Sequence, residues 1–74
     1  MFNYQVALVL NHAKQQNKWV YAKDLVKYGL FSGNINYMME KAQVIIRTDK
    51  HGTAIKLTMD GYYDTLRILG YNTY

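Results

Sequence analysis

The sequence lacks several residue types that would define common classes of small protein. It has no cysteine among its 74 residues, which excludes disulfide cross-links and thiolate metal ligands. Proline is also absent, so helices and strands must be separated by other residues, of which the five glycines are the candidates. The apolar run Val6–Leu10 is far too short to cross a membrane. We find no signal-peptide pattern and expect no membrane partner. A cytoplasmic location is expected, or the interior of a host cell if the chain is viral.

Acidic residues are few relative to basic ones. Five Asp/Glu stand against nine Lys/Arg, which gives a net charge of +4 and a pI near 9.4. This excess suits a polyanionic partner, but it is also common in small proteins that bind none. Half of the residues are apolar, so a folded domain is expected rather than a disordered chain. A chain this short forms one domain and buries only about 60% of its unfolded surface, so its core must be efficient or shared with a second copy.

Residues that carry catalytic chemistry are sparse. His12 and His51 have no metal-ligand spacing with each other or with a carboxylate pair, and Ser32 is the sole serine. No glycine-rich phosphate loop and no nucleophile–base pair can be proposed. We therefore expect no enzymatic activity, no cofactor and no metal site.

Helical spacing of apolar residues dominates the first half of the chain. Such spacing predicts a first helix at about residues 2–16, which starts at Phe2. Trp19-Val20 forms a short extended piece, and a second helix follows at 21–28, closed by Gly29. Ser32 is predicted to cap a third helix at 33–42. One face of this third helix is predicted to be buried and contains Ile35, Met38, Met39 and Ala42.

The second half of the chain predicts a hairpin followed by a helix. Residues 43–48 are rich in β-branched side chains, and 53–58 alternate between apolar and polar. Asp49–Gly52 would form the turn, with Gly52 supplying a positive φ. Thr58 is predicted to cap a last helix at 59–69 that ends at Gly70. Its apolar stripe is predicted to comprise Tyr62, Tyr63, Leu66 and Leu69.

Three segments in this order resemble a winged helix-turn-helix domain. Trp19–Val26 (WVYAKDLV) looks like the short strand and first helix of the motif. Ser32–Ile45 (SGNINYMMEKAQVI) is similar to a recognition helix that runs into the first strand of the wing. Ile55–Gly61 (IKLTMDG) resembles the Leu-Thr-x-x-Gly step of MarR-like and PadR-like regulators and of their archaeal relatives. Together the segments cover about residues 2–70.

This resemblance implies an α+β fold with a three-helix core, a two-stranded wing and a C-terminal helix. It implies a transcription regulator that places its third helix in the major groove of double-stranded DNA and its wing on the backbone. Asparagine can pair with adenine, and basic residues can contact phosphates. The expected DNA-binding residues are Lys23, Lys27, Asn34, Asn36, Tyr37, Lys41, Arg47, Lys50 and His51.

Two alternatives stay open for these residues. The third helix can be an ordinary solvated face, and the charges on the hairpin, Lys56 among them, can protect exposed strand edges from pairing with other chains. Glu40 lies on the proposed reading face, where it could accept a hydrogen bond from cytosine or disfavour non-specific sites, or could indicate that this face does not meet DNA. The competing interpretation is a small protein-interaction module on the same fold, such as a viral factor that binds host transcription or replication machinery.

Aromatic residues at both ends of the chain predict a homodimer. Tyrosine is frequent here, with eight copies, and it is enriched at the cores of protein interfaces. Packing within one chain is the alternative. The expected contact combines the first helix, the last helix and the tail, through Tyr4, Leu66, Leu69, Tyr71 and Tyr74.

Overall fold

The computed structural model describes residues 3–71. Phe2, predicted in the first helix, and Tyr74, predicted at the dimer contact, lie outside the described residues. The predicted order of helices and strands is confirmed. The elements are α1 (Tyr4–Gln15), β1 (Val20–Tyr21), a 3-10 helix (Ala22–Tyr28), α2 (Ser32–Glu40), β2 (Val44–Asp49), β3 (Gly52–Leu57) and α3 (Met59–Ile68). Within residues 3–71, no helix has both the length and the apolar character that a membrane span requires.

The three strands form one antiparallel sheet in the order β1-β3-β2. Asp49 pairs with Gly52, so Lys50 and His51 alone form the hairpin turn. The Asp49 carboxylate accepts a 2.7 Å hydrogen bond from the backbone N–H of His51, and Gly52 has φ +119°. Aspartate at the first position and glycine at the fourth are typical of a type I turn. The predicted need for a positive φ at Gly52 is therefore confirmed.

The core lies between one face of the sheet and the helices. It contains Val6, Ala7, Leu10, Leu25, Leu30, Met38, Val44, Ile55 and Leu57. A buried polar contact joins α1 to α3, where the Asn11 side-chain amide donates to the Thr65 hydroxyl at 3.0 Å. The Thr65 hydroxyl in turn donates to the Tyr62 carbonyl oxygen at 2.7 Å. These contacts satisfy polar atoms that would otherwise destabilise the core.

Each helix in residues 3–71 ends in the same way. A residue with positive φ lies at the C-cap of the 3-10 helix and directly after the C-cap of each α-helix, and two backbone N–H groups bond back into the last turn, which is the pattern of a Schellman motif. At these four helix ends the residues with positive φ are Asn17, Gly29, Ala42 and Gly70. Glycine and asparagine tolerate this conformation, but alanine does not favour it.

Helix α2 differs from its prediction at both ends. Ser32 is not the N-cap, because Phe31 holds that position and its backbone N–H donates to the Asn34 side-chain oxygen at 2.9 Å. The helix ends at Glu40, so Ala42 lies beyond it and is exposed. Met39 is also exposed, and only Met38 is fully buried, with Ile35 partly buried beside it. The predicted four-residue buried face was therefore too wide.

Two further helix predictions need correction. The second helix is a 3-10 helix, and Tyr21, predicted as its first residue, pairs in β1 instead. In α3, Tyr63 is exposed rather than part of the inward stripe. The buried residues of α3 are Gly61 and Thr65, because small side chains let this helix approach the core closely.

The junction between α2 and β2 is clamped to the start of α3. The Thr58 hydroxyl accepts from the Gly61 N–H at 3.0 Å, which confirms the predicted cap, and donates to the Ala42 carbonyl oxygen at 2.6 Å. The Thr58 N–H bonds to the Gln43 carbonyl oxygen at 3.0 Å. A Cβ on Gly61 would lie 1.9 Å from that same oxygen, so close packing here requires glycine. The clamp fixes where α2 stands relative to the hairpin.

Candidate nucleic-acid interface

The tip of the hairpin extends past the core. Residues 47–52 are all exposed, whereas Ala54, Ile55 and Leu57 of β3 are buried. Arg47, Lys50 and His51 therefore lie on a projecting, solvated segment. This is the exposure that contacts to a phosphate backbone would require.

The exposed side of α2 carries fewer basic residues than the hairpin. Asn36, Tyr37, Glu40 and Lys41 are exposed, and the Lys41 ammonium nitrogen lies 5.6 Å from the centroid of the Tyr37 ring. Asn34 differs from the prediction, because it is half-buried and its side-chain oxygen bonds to the backbone at the start of the helix. Three of the four residues predicted on the third helix are thus accessible, with Lys41 at its C-cap, and they lie beside one carboxylate.

Lys23 and Lys27 do not share a face. In a 3-10 helix, residues three apart are aligned, so residues four apart diverge by about a third of a turn. Their contacts agree: the Lys23 ammonium lies 5.6 Å from the Tyr21 ring centroid, and the Lys27 ammonium lies 5.2 Å from that of Tyr28. The two lysines therefore point in different directions from the 3-10 helix.

The face of the sheet that points away from the core carries aromatic and basic side chains. Because side chains alternate along strands and the register pairs Tyr21 with Ala54 and Ala54 with Arg47, these three residues share that face. The Arg47 guanidinium carbon lies 4.6 Å from the Trp19 ring centroid, and the Lys56 ammonium lies 5.7 Å from it. Lys56 also donates to the side-chain oxygen of Asn17.

A second set of contacts extends this face toward the turn. The Tyr21 hydroxyl donates to the Asp49 carboxylate at 2.8 Å, and the Tyr21 and His51 rings meet edge to face, with centroids 6.3 Å apart. The hydrogen bond from Tyr21, followed by that from the His51 N–H, lowers the pKa of Asp49 below its ordinary value of 3.8. The same hydrogen bond raises the pKa of Tyr21. We name Trp19, Tyr21, Arg47, Asp49, Ala54 and Lys56 the outer-face cluster.

Ala54 shows how tightly this cluster is assembled. It is fully buried, although it lies outside the contiguous cluster of core side chains. Alanine is small, so Tyr21 and Arg47 from the neighbouring strands can cover it. A larger side chain on this central strand would hold the flanking residues apart.

The sequence predicted the basic residues of the hairpin but missed their aromatic partners. Trp19 was interpreted only as part of a short strand, and Tyr21 as the start of a helix. The signal was present in the alternation of β2, since Arg47 and Asp49 lie two residues apart and must share a face. The pairing of β1 with β3, which a local pattern does not specify, brings Trp19 and Tyr21 to them.

The residues predicted for a dimer contact differ in exposure. Tyr4 and Tyr71 are 56% and 61% exposed, whereas Leu66 and Leu69 are half-buried and Leu69 packs on the core. An open groove lies on α1, lined by Leu8, Val9, His12, Ala13 and Gln16. Of the elements predicted to form the dimer contact, α1 therefore offers exposed apolar surface, whereas Leu69 packs against the core of its own chain.

Comparison with known proteins finds no matching family model, and neither a curated protein nor a solved structure gives a significant match.

Proposed function

We propose that this chain is a small winged helix-turn-helix protein that binds double-stranded DNA and regulates transcription. Helix α2 would enter the major groove, and the hairpin β2–β3 would be the wing on the adjacent backbone. The observation that carries the proposal is the hairpin, whose exposed tip holds Arg47, Lys50 and His51 beyond the core. Helix α2 leads directly into this hairpin through Lys41–Gln43 and exposes Asn36 and Tyr37.

The two elements would contribute differently to binding. Lys50, at the tip, would contact phosphates and so attract any sequence. Asn36 can make paired hydrogen bonds to adenine and would discriminate among sequences. Asn34 has a smaller part in the proposal than the sequence implied, because its side-chain oxygen already bonds within the chain.

The proposal is tested by fluorescence anisotropy on a selected duplex and a scrambled duplex over a range of salt concentrations. Lys50→Ala should weaken binding to both duplexes and reduce the salt slope by about 0.9, the value expected for one lost phosphate contact. Asn36→Ala should cost about 1–3 kcal/mol on the selected duplex alone. Arg67→Gln is the matched control, because it removes one charge from the exposed side of α3. If the wild-type protein binds no duplex in a salt-dependent way, the proposal fails.

A protein-interaction module is the second candidate, and specific observations favour it. Glu40 lies on the exposed side of α2, and large apolar side chains are exposed on or beside the same helix at Phe31 (64%) and Met39 (49%). A carboxylate flanked by exposed apolar side chains suits a protein surface better than a phosphate backbone. Failure of duplex binding, together with loss of a protein partner in Met39→Glu, would support this candidate.

We also propose that the protein is a homodimer. The support is the exposed apolar surface of α1, with Tyr4 and Leu8 exposed, together with Tyr71 after α3. A two-fold dimer would allow two copies of α2 to contact two half-sites, which is the usual arrangement for helix-turn-helix proteins.

A further inference from the structure

We propose that the outer-face cluster is a binding surface for single-stranded nucleic acid, which shares Arg47 and Lys50 with the proposed wing but does not involve α2. The central observation is the pairing of Trp19 with Arg47, at 4.6 Å from ring centroid to guanidinium carbon. Unpaired bases stack on aromatic rings and on guanidinium groups. The proposed occupant is a stretch of unpaired nucleotides, with one base stacked on the Trp19–Arg47 pair.

The chemistry of the cluster favours this occupant over a duplex. A duplex keeps its bases stacked inside the helix and offers mainly phosphates to a flat sheet surface, so the aromatic rings would have no role. Single strands expose base faces beside phosphates, and proteins bind them through combined aromatic and basic side chains. Trp19 and Tyr21 supply the rings, while Arg47 and Lys23 supply exposed cations next to them.

The charge of the surface is complementary to a polyanion. Asp49 is the one carboxylate of the cluster, and it is occupied by the Tyr21 hydroxyl and the His51 N–H. Lys56 is bonded to Asn17 and lies near Trp19, so it helps to position the ring. Arg47 and Lys23 are exposed beside the rings, Lys50 is exposed at the hairpin turn, and these cations would contact the phosphates that flank the stacked base.

The test uses the fluorescence of Trp19, the single tryptophan of the chain. The wild-type protein is titrated with a thymidine oligonucleotide of about 12 residues, a length within the range that single-strand-binding domains cover. We expect quenching of Trp19 that saturates and weakens with salt. A duplex of the same length should quench Trp19 less than the oligonucleotide does, because its bases stay stacked inside the helix even where its phosphates contact Arg47. Poly-glutamate, a polyanion without bases, should leave the Trp19 signal unchanged.

Variants assign the effect to the cluster. Arg47→Gln should weaken single-strand binding at least about fivefold, the lower end of what base–aromatic stacking contributes, and should reduce the salt slope by about 0.7. Arg67→Gln removes the same charge from α3 and should change neither value. Asn36→Ala should leave quenching intact, which distinguishes this surface from the proposed duplex contact.

Three results would overturn the proposal. The first is the absence of quenching by the oligonucleotide. The second is equal quenching by poly-glutamate, which would show that charge alone is recognised and would favour an acidic protein. The third is loss of quenching in Asn36→Ala but not in Arg47→Gln, which would move the contact to α2. All of these variants alter exposed side chains, so a folded protein is available for each arm.

Discussion

At the residue scale, Ala42 has the least favourable backbone conformation of the four helix ends. Its φ of +56° closes α2 in a Schellman motif, where the equivalent residues are Asn17, Gly29 and Gly70. The left-handed conformation costs a residue with a Cβ about 1–2 kcal/mol. The same residue offers its carbonyl oxygen to the Thr58 hydroxyl, so the strained position is held by the clamp between α2 and α3.

Relief of this strain should stabilise the protein. We expect Ala42→Gly to raise the free energy of unfolding by about 0.5–1 kcal/mol, since part of the gain is lost to the greater freedom of glycine in the unfolded chain. Urea denaturation followed by circular dichroism measures the change. Gly70→Ala is the matched control: it places a Cβ at φ +88° with no atom within 4 Å and should destabilise by a similar amount. Equal stability of all three proteins would contradict the assignment of strain.

Also at the residue scale, the Tyr21–Asp49 bond should make the hairpin tip sensitive to acid. The folded-state pKa of Asp49 is below its ordinary value of 3.8, so the carboxylate stabilises the tip above about pH 3.8 and loses that effect as the pH falls through the lower, folded value. The chemical shift of the His51 amide proton should report this titration by NMR. In Tyr21→Phe the midpoint should rise, because the main cause of the low pKa is removed. An unchanged midpoint would show that Tyr21 does not hold Asp49 in solution.

At the scale of the elements, Gly61 should determine how α2, β2 and α3 meet. Gly61→Ala would bring its Cβ to 1.9 Å from the Gln43 carbonyl oxygen, a backbone atom, so α3 would have to move. We expect destabilisation of about 1–3 kcal/mol or more. Gly33→Ala is the control, since it lies within α2 with no atom within 4 Å of the added Cβ, and it should be neutral or stabilising by up to about 1 kcal/mol. Thermal unfolding distinguishes the two, and similar melting temperatures would refute the close approach.

The elements also show what sequence reasoning can and cannot supply. The alternation of Ile55 and Leu57 and the cap at Thr58 are local signals, and both predictions are confirmed. Ser32 was mistaken for a cap because serine is favoured there, while the structure satisfies the Phe31 N–H through Asn34 three residues later. The 3-10 form of residues 22–28 and the pairing of β1 with β3 depend on packing against distant residues. Because the outer-face cluster joins residues from separate strands, no single stretch of the sequence predicted it.

At the scale of the whole molecule, positive charge is unevenly distributed. Lys23, Arg47, Lys50 and Lys56 lie on or beside the outer face of the sheet and the hairpin. On the side of α3, Arg67 forms an ion pair with Asp64, in a groove that Lys41 and Asp60 also line. Four of the nine basic residues thus lie on the hairpin side, which directs both nucleic-acid proposals to that side of the molecule.

The proposed homodimer can be tested with a single substitution, and the structure indicates which residue to change. Leu69→Asp is unsuitable, because Leu69 packs on the core and its loss would destabilise the fold itself. Leu8 is 46% exposed and lines the groove on α1, so Leu8→Glu should place a charge in the contact without disturbing the core. We expect the wild-type protein to sediment as a dimer at micromolar concentration and Leu8→Glu as a folded monomer. Met39→Glu, with 49% exposure on α2, is the control and should remain dimeric. A monomeric wild-type protein would refute the dimer. If Met39→Glu alone gives monomers, the subunit contact lies on α2, where it would compete with the proposed contact of α2 with the DNA major groove.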